Sequence, residues 1–268
     1  MLRSGVQFEG YIVDEVVGHG GSATVYRAHL GADPNHVIAL KVLGEHCGRI
    51  ELARLKREFD FAHRLNHPHV VSVERRGADW LSMQYVDGKT VAALPSLDDR
   101  LTALTQIADA LDYVHSCCIV HCDVKPTNIL VYKDFSQRGA VLIDFGVAHD
   151  LAEDHRKRPQ QVQASLPYVA PEVLRGLAPW AATDEYALAC TAVELITGAP
   201  PFEAKTPVAL VDAHLNRAPP KVSHRASWLP RAFDSILAKA MAKDPAVRYQ
   251  SCTQLMTFIT RVLATAKA

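Results

Sequence analysis

Apolar and polar positions alternate with two different periods along this chain. In the first third the period is close to two. A Gly-rich turn, Gly18-His19-Gly20-Gly21-Ser22-Ala23-Thr24-Val25, sits between two strand-like runs, and Val37-Ile38-Ala39-Leu40-Lys41-Val42-Leu43 reads as a third strand. A helix is predicted from about Arg49 to Leu65, then strands around Val70 and over Trp80 to Val86, with Asp87-Gly88 as a turn signal. Beyond that point the period is helical. Ser96 followed by Asp99 has the form of a capping box, and Leu97, Leu101, Leu104, Ala108 and Leu111 share one face. Ile129-Leu130-Val131 and Val141-Leu142-Ile143 read as short strands. From Asp184 to Thr197 the chain is apolar nearly all round, between Thr183 and Gly198, which is the pattern of a capped, buried helix. The expected fold class is therefore α+β: a small sheet-rich lobe over 1–84, a hinge at 84–88 and a larger helical lobe over 89–268. Clefts between lobes are where ligands sit.

Length and charge narrow the picture further. A chain of 268 residues can bury a substantial core. Its 29 Lys and Arg balance 29 Asp and Glu, so no global field points to nucleic acid or an acidic membrane. No stretch reaches the roughly 18 apolar residues of a membrane helix, and Met1 to Gly5 lead into no signal-like run. The six scattered cysteines fit reduced thiols and a cytoplasmic location. Cys117, Cys118, His121 and Cys122 are too close in sequence for all to face one tetrahedral zinc.

Several residues stand out chemically. Glycines in a hairpin let backbone N–H groups approach phosphate oxygens, although the same pattern also serves as a plain turn. Lys41 interrupts an apolar strand and needs a partner. Glu58 supplies one: Leu55 and Ala62, three before and four after it, put its carboxylate on the apolar face of the Arg49–Leu65 helix. The densest segment is His121-Cys122-Asp123-Val124-Lys125-Pro126-Thr127-Asn128, followed by Asp144-Phe145-Gly146. Phosphoryl transfer asks for positioning, charge neutralisation and a group that orients the nucleophile. Asp123 can accept a hydroxyl proton, Lys125 can neutralise a transferred phosphoryl group, and Asn128 and Asp144 offer hard oxygens suited to Mg²⁺.

With these stretches the chain resembles the eukaryotic-like serine/threonine protein kinases of bacteria, the actinobacterial type above all. The likeness continues through Leu65-Asn66-His67-Pro68-His69-Val70-Val71, Tyr168-Val169-Ala170-Pro171-Glu172, Thr197-Gly198-Ala199-Pro200-Pro201-Phe202 and Asp244-Pro245-Ala246-Val247-Arg248-Tyr249. The resemblance implies the two-lobed kinase fold and a serine/threonine protein kinase activity using ATP with Mg²⁺ or Mn²⁺. It implies protein substrates, allows a kinase–kinase dimer, and suggests no nucleic-acid partner. It implies a catalytic set of Asp123, Lys125, Asn128, Lys41 and Glu58, with metal on Asn128 and Asp144. ATP contacts are implied at Val17, Gly18, His19, Gly20, Gly21, Ser22, Ala23, Thr24, Val25, Ala39, Lys41, Met83, Gln84, Val86 and Leu130. Met83 is the implied gatekeeper and Gln84 to Val86 the adenine-binding hinge. Glu172 is expected to pair with Arg248, Asp184 to hold the catalytic loop, and Ser165 to stand where relatives place a Thr touching the catalytic Asp.

Three departures follow. Ala23 replaces the third glycine. The 88–96 segment is short, so the helix after the hinge is expected to be clipped. Cys122 stands where most relatives carry an Arg that pairs with a phosphorylated loop residue, and a thiol cannot. From Asp144 to Glu172 the only hydroxyl side chains are Ser165 and Tyr168, while the loop carries His155-Arg156-Lys157-Arg158. Activity independent of activation-loop phosphorylation is the expectation. The basic run reads as a solvated loop, with choice of acidic substrates as its alternative, and Cys122 as an inert thiol. A pseudokinase scaffold is the alternative of another class. A small-molecule phosphotransferase is disfavoured by Lys125, Ala170-Pro171-Glu172 and Arg248.

Overall fold

The computed structural model describes residues 1–152 and 165–266. The basic run at 155–158 lies outside them. The strands of the first lobe are β1 (Gln7–Phe8), β2 (Tyr11–His19), β3 (Ala23–Leu30), β4 (Asp33–Leu43), β5 (Val73–Arg76) and β6 (Trp80–Gln84), with helix α1 (Arg49–Ala62) between β4 and β5. They form one antiparallel sheet in the order β1-β2-β3-β4-β6-β5. The two-residue period of β4 explains Lys41. Ile38 and Leu40 face a cluster with Tyr11, Val13, Tyr26, Ala28 and Trp80, whereas Ala39 and Leu43 face the main core and the cleft. Lys41, in phase with Ala39, therefore points into the cleft.

The second lobe adds β7 (Gly88–Thr90), α2 (Leu97–Ser116), β8 (Ile119–Val120), β9 (Ile129–Tyr132), α3 (Phe135–Arg138), β10 (Ala140–Leu142), β11 (His149–Asp150), α4 (Pro171–Leu174), α5 (Ala181–Thr197), α6 (Pro207–Asn216), α7 (Arg231–Ala240) and α8 (Cys252–Ala266). Helix α2 packs on α5 and α8. It starts where Ser96 Oγ accepts from the N–H groups of Asp98 and Asp99, and it buries Leu101, Leu104, Ala108 and Leu111. Two small sheets, β10-β9-β7 and β11-β8, carry the connecting loops. The expected clipped helix is a single 3₁₀ turn, Val91–Ala93.

Five boundaries differ from expectation. Helix α1 ends at Ala62, because the Arg64 and Leu65 amides bond back three residues instead of four. The segment at Val70 is a lone bridge to Leu142, and the strand lies at 73–76. Strand β6 stops at Gln84 and β10 at Leu142, short of Val86 and Ile143. Helix α5 begins three residues before Asp184, so Thr183 is not its cap. It lies in the first turn, where its Oγ1 accepts from the Trp180 N–H. Gly198 ends α5 with φ +84°, a left-handed value that favours glycine.

Candidate active site

The loop between β8 and β9 carries Asp123, Lys125 and Asn128, and a buried side chain on α5 sets its course. Asp184 accepts from the His121 N–H at 2.8 Å and the Cys122 N–H at 2.7 Å. Its Oδ2 also meets His115 Nε2 at 2.8 Å. Burial alone would raise the Asp184 pKa. The His115 and His121 contacts outweigh it and hold the carboxyl below its ordinary value. The His121 ring then ties the loop to the strand before Asp144. Its Nδ1 accepts the Asp123 N–H at 3.2 Å, so Nε2 carries the proton and donates to the Ile143 carbonyl at 3.1 Å. Phe145 is fully buried edge-on against His121, with centroids 4.8 Å apart.

The catalytic loop is thereby brought to a single cluster. Asp123 Oδ2 accepts from Lys125 Nζ at 2.6 Å and from Asn128 Nδ2 at 3.0 Å, and Asn128 also donates to the Asp123 carbonyl at 2.9 Å. Ser165 does not touch Asp123 directly. Its Oγ accepts from Lys125 Nζ at 2.7 Å, so the ammonium bridges the two. Across the cleft Lys41 Nζ lies 2.6 Å from Glu58 Oε2 and 3.8 Å from Asp144 Oδ1. Burial pulls both members of the Lys41–Glu58 pair toward their neutral forms. For Lys41 the two carboxylates outweigh it and hold the ammonium above its ordinary pKa. Asp144 is likewise pushed up by burial, but the Lys41 charge and the Gly146 N–H bring it below its ordinary value.

Between the lobes lies a cleft of about 820 Å³ lined by Val17, Gly18, His19, Gly20, Ala23, Val25, Ala39, Lys41, Met83, Gln84, Val86, Asn128, Leu130 and Asp144. A second chamber of about 260 Å³ continues it, between Ser22, Lys41, Glu58, Asp123, Lys125, Asp144 and Ser165. Thr24 and Gly21 line neither. Thr24 is one residue out of step with Ala23 and Val25 on β3, so alternation turns it away. The Gln84 side chain braces the hinge from behind: its Oε1 accepts from the Ser72 N–H at 3.2 Å, and its Nε2 donates to the Tyr132 hydroxyl at 2.5 Å.

Cofactor fit can be read from the donor atoms. Asn128 spends its Nδ2 on Asp123, which leaves Oδ1 as a neutral oxygen ligand, and Asp144, which lines the same cleft, stays ionised. Hard oxygens of this kind suit Mg²⁺. Cys122, by contrast, is a poor ligand or redox sensor. Burial, together with Asp184 and Asp123, pushes its thiol pKa well up, so it stays protonated. A further group of potential ligands, Asp112, His115 and Cys252, is accounted for otherwise. Asp112 caps α8, accepting from the Cys252 and Thr253 N–H groups and the Thr253 hydroxyl.

The Glu172–Arg248 pair is bidentate, at 2.8 Å and 2.8 Å, and buried. Sequence reading missed three functional contacts. Arg54 lines the smaller chamber, His115 supports Asp184, and the Tyr168 hydroxyl donates to Glu194 at 2.5 Å. Only the helical phase of Arg54, four residues before Glu58, could have signalled its place.

Comparison with known proteins gives a consistent result. The family model described as "Protein kinase domain" matches residues 11–258. Serine/threonine-protein kinase PknJ of Mycobacterium tuberculosis is 38% identical over 264 residues, covering 93% of this chain and 45% of the relative. PknF of the same organism is 36% identical, covering 94% of this chain and 56% of PknF. The chain thus spans about half the length of these curated relatives. Among solved structures, a mutant form of the Mycobacterium tuberculosis PknI kinase domain superposes with a TM-score of 0.73 at 30% identity, covering 100% of both chains.

Proposed function

The chain belongs to the protein kinase domain family, and from that premise we propose that it transfers the γ-phosphoryl group of ATP to Ser or Thr hydroxyls of protein substrates. The observation that carries this reading is the single cluster of Asp123, Lys125 and Asn128 facing Lys41 and Asp144 across the cleft. Asp123 accepts the proton of the incoming hydroxyl and orients its oxygen. Lys125, already bridging Asp123 and Ser165, neutralises charge on the transferred group. Lys41 is fixed by Glu58 so that its ammonium faces the phosphates. Asn128 and Asp144 would hold Mg²⁺, which when bound neutralises phosphate oxygens. The cleft residues Ala39, Met83, Val86 and Leu130 would enclose the adenine. Preference for Ser and Thr is supported by Lys125 and by the relatives' names.

The pseudokinase alternative requires a missing nucleotide lysine, catalytic Asp or metal ligand, and none is missing. Regulation is read from Cys122: with no docking cation there and both loop hydroxyls already bonded, activity is independent of loop phosphorylation. Six unpaired thiols support a cytoplasmic setting. Among the described residues no helix is long and apolar enough to cross a membrane.

The test is incorporation of labelled phosphate from Mg-ATP by wild type and Asp123→Asn. Loss of the proton acceptor should lower the rate by about 10²–10⁴-fold, with thermal stability little changed. Equal labelling by both would remove the enzyme reading.

A further inference from the structure

The smaller chamber carries more charge than the proposed reaction uses. Three cations and four carboxylates line it. Lys41 pairs with Glu58 at 2.6 Å and faces Asp144 at 3.8 Å. Lys125 holds Asp123 at 2.6 Å. Glu51 accepts the Gly48 N–H at 2.9 Å and so closes the first turn of α1. Arg54 is the remaining charged side chain of the chamber, and the reaction as described gives it no part.

Its place is set by the helix. Arg54 lies one turn before Glu58 on α1, so the two side chains share a face. Leu55 and Glu58 are buried and Arg54 is half-buried, whereas Lys56 and Arg57 are exposed. Helix α1 also packs directly on the turn that follows Asp144. A Cβ built on Gly146 would meet the Arg54 Cβ and carbonyl oxygen, each at 3.7 Å. Arg54 thus stands on a helix, against the turn that carries Asp144, and lines the same chamber as Asp123, Lys125 and Ser165. Groups held on helices are placed more precisely than groups on loops.

We propose that Arg54 is a further catalytic residue: its guanidinium contacts the phosphoryl group as it passes from ATP to the acceptor hydroxyl. The inference rests on the kinase reading and deepens it. In that step the acceptor oxygen bonds to phosphorus, and the bond from phosphorus to the β-phosphate bridging oxygen breaks. ADP leaves, and the hydroxyl proton passes to Asp123. During transfer, negative charge spreads over the three equatorial oxygens of the phosphoryl group. Lys125 already spans Asp123 and Ser165, and Lys41 is tied to Glu58. Both are point charges, and neither offers the planar fork of N–H donors that matches two oxygens at once. A donor held in place where charge develops stabilises the transition state without reorganising.

The experiment begins with wild-type turnover of Mg-ATP and a Thr-containing peptide selected from a degenerate Ser/Thr library. Failure there removes the kinase reading and this inference with it, whereas every later outcome bears on Arg54 alone. Arg54→Gln should lower kcat about a hundredfold, the cost of one transition-state donor, with both KM values within about twofold. Arg54→Lys keeps the charge and lacks the fork, so its kcat should fall between the two. Aluminium fluoride, which with Mg-ADP mimics the group in transfer, separates catalysis from structure. It should tighten ADP binding to wild type, and Arg54→Gln should lose at least about tenfold of that gain while binding Mg-ADP alone as wild type does. An unchanged kcat overturns the proposal. So does an equal loss of affinity for Mg-ADP with and without the fluoride, which marks a structural role. A raised peptide KM at constant kcat assigns the guanidinium to the peptide and overturns it too. A measurement on the unmodified protein does not depend on how the variants fold. With ¹⁵N-labelled arginine, the Arg54 Nε–H resonance should move when aluminium fluoride is added to the Mg-ADP complex. No movement overturns the proposal as well.

Discussion

Cys122 has a backbone φ of +67°, and Asp144 one of +70°. Left-handed conformations of this kind cost a non-glycine residue on the order of 1–3 kcal/mol. Each is held by a named contact: the Cys122 N–H by Asp184 Oδ1 at 2.7 Å, and the Asp144 carboxylate by the Gly146 N–H at 3.2 Å. The strain turns the Asp123 and Asp144 carboxylates toward the cleft, and Cys122 contributes geometry without charge. No cation at this position waits for a phosphate. The loop hydroxyls agree, since Ser165 and Tyr168 are already bonded to Lys125 and Glu194. Phosphatase treatment of the purified protein should therefore leave its activity within about twofold. A large loss that maps to a site between Asp144 and Glu172 would sink the idea. At this scale the sequence was most legible where residue type and spacing act together, as in Lys41, Glu58, Asp123 and Asn128. It was silent on His115, whose partner Asp184 lies 69 residues away, and on His214. A single histidine shows neither its burial nor its tautomer until the fold surrounds it.

Strand β7 shows what an element boundary can depend on. Gly88 pairs with Tyr132 of β9, and a Cβ on it would sit 1.8 Å from the Val131 carbonyl oxygen. Its φ is not left-handed, so the requirement is close approach alone. The obstacle is backbone and cannot swing aside. Gly88→Ala should therefore cost on the order of 3 kcal/mol, at the upper end for overpacking. Because Gly88 is the last residue of the hinge and lines the cleft, the ATP KM should rise as well. Urea unfolding and ATP titration of the rate check both, and a variant as stable as wild type would contradict the argument. The sequence marked Gly88 as a turn, which locates the chain reversal but not the neighbour that forbids a side chain. Element interiors were legible because their periods are strong, as in β4, α2 and α5. Their ends were less so. Thr183 looked like a cap because it precedes an apolar run, yet its hydroxyl accepts from the Trp180 N–H and donates to Glu172 at 2.9 Å. Which of several small polar residues starts a helix is decided by such tertiary partners.

Helix α5 organises the larger lobe through four consecutive buried polar side chains. Successive residues on a helix turn by about 100°, so each points to a different neighbour. Thr183 meets Glu172 of the Arg248 pair, and Asp184 holds the catalytic loop. Glu185 accepts the Tyr249 N–H at 3.0 Å, and Tyr186 meets His214 on α6. The helix thus ties the catalytic loop, the segment at Glu172, the turn before α8 and α6 into one body. This arrangement has a consequence for stability. Burial raises the Glu185 carboxyl to about 8, against the pull of the Tyr249 N–H and Arg248. In the unfolded chain the same group titrates near 4.3. Between these values the folded protein binds a proton that the unfolded chain does not, so ν_U − ν_N is negative and stability falls as pH rises. The slope is at most about 1.4 kcal/mol per pH unit. His214 acts in the opposite sense. Its folded value of about 4 lies below the ordinary histidine range, so its contribution is present at neutral pH and is lost as pH falls from about 6.5 toward 4. Comparing wild type with Glu185→Gln cancels every group the two share, His214 included. Glutamine keeps an oxygen for the Tyr249 N–H and cannot ionise. Relative to wild type, Glu185→Gln should gain stability steadily from pH 5 to pH 8, by about 1 kcal/mol per unit. Urea melts at four pH values measure it, and a difference independent of pH would show that Glu185 remains ionised in the folded lobe.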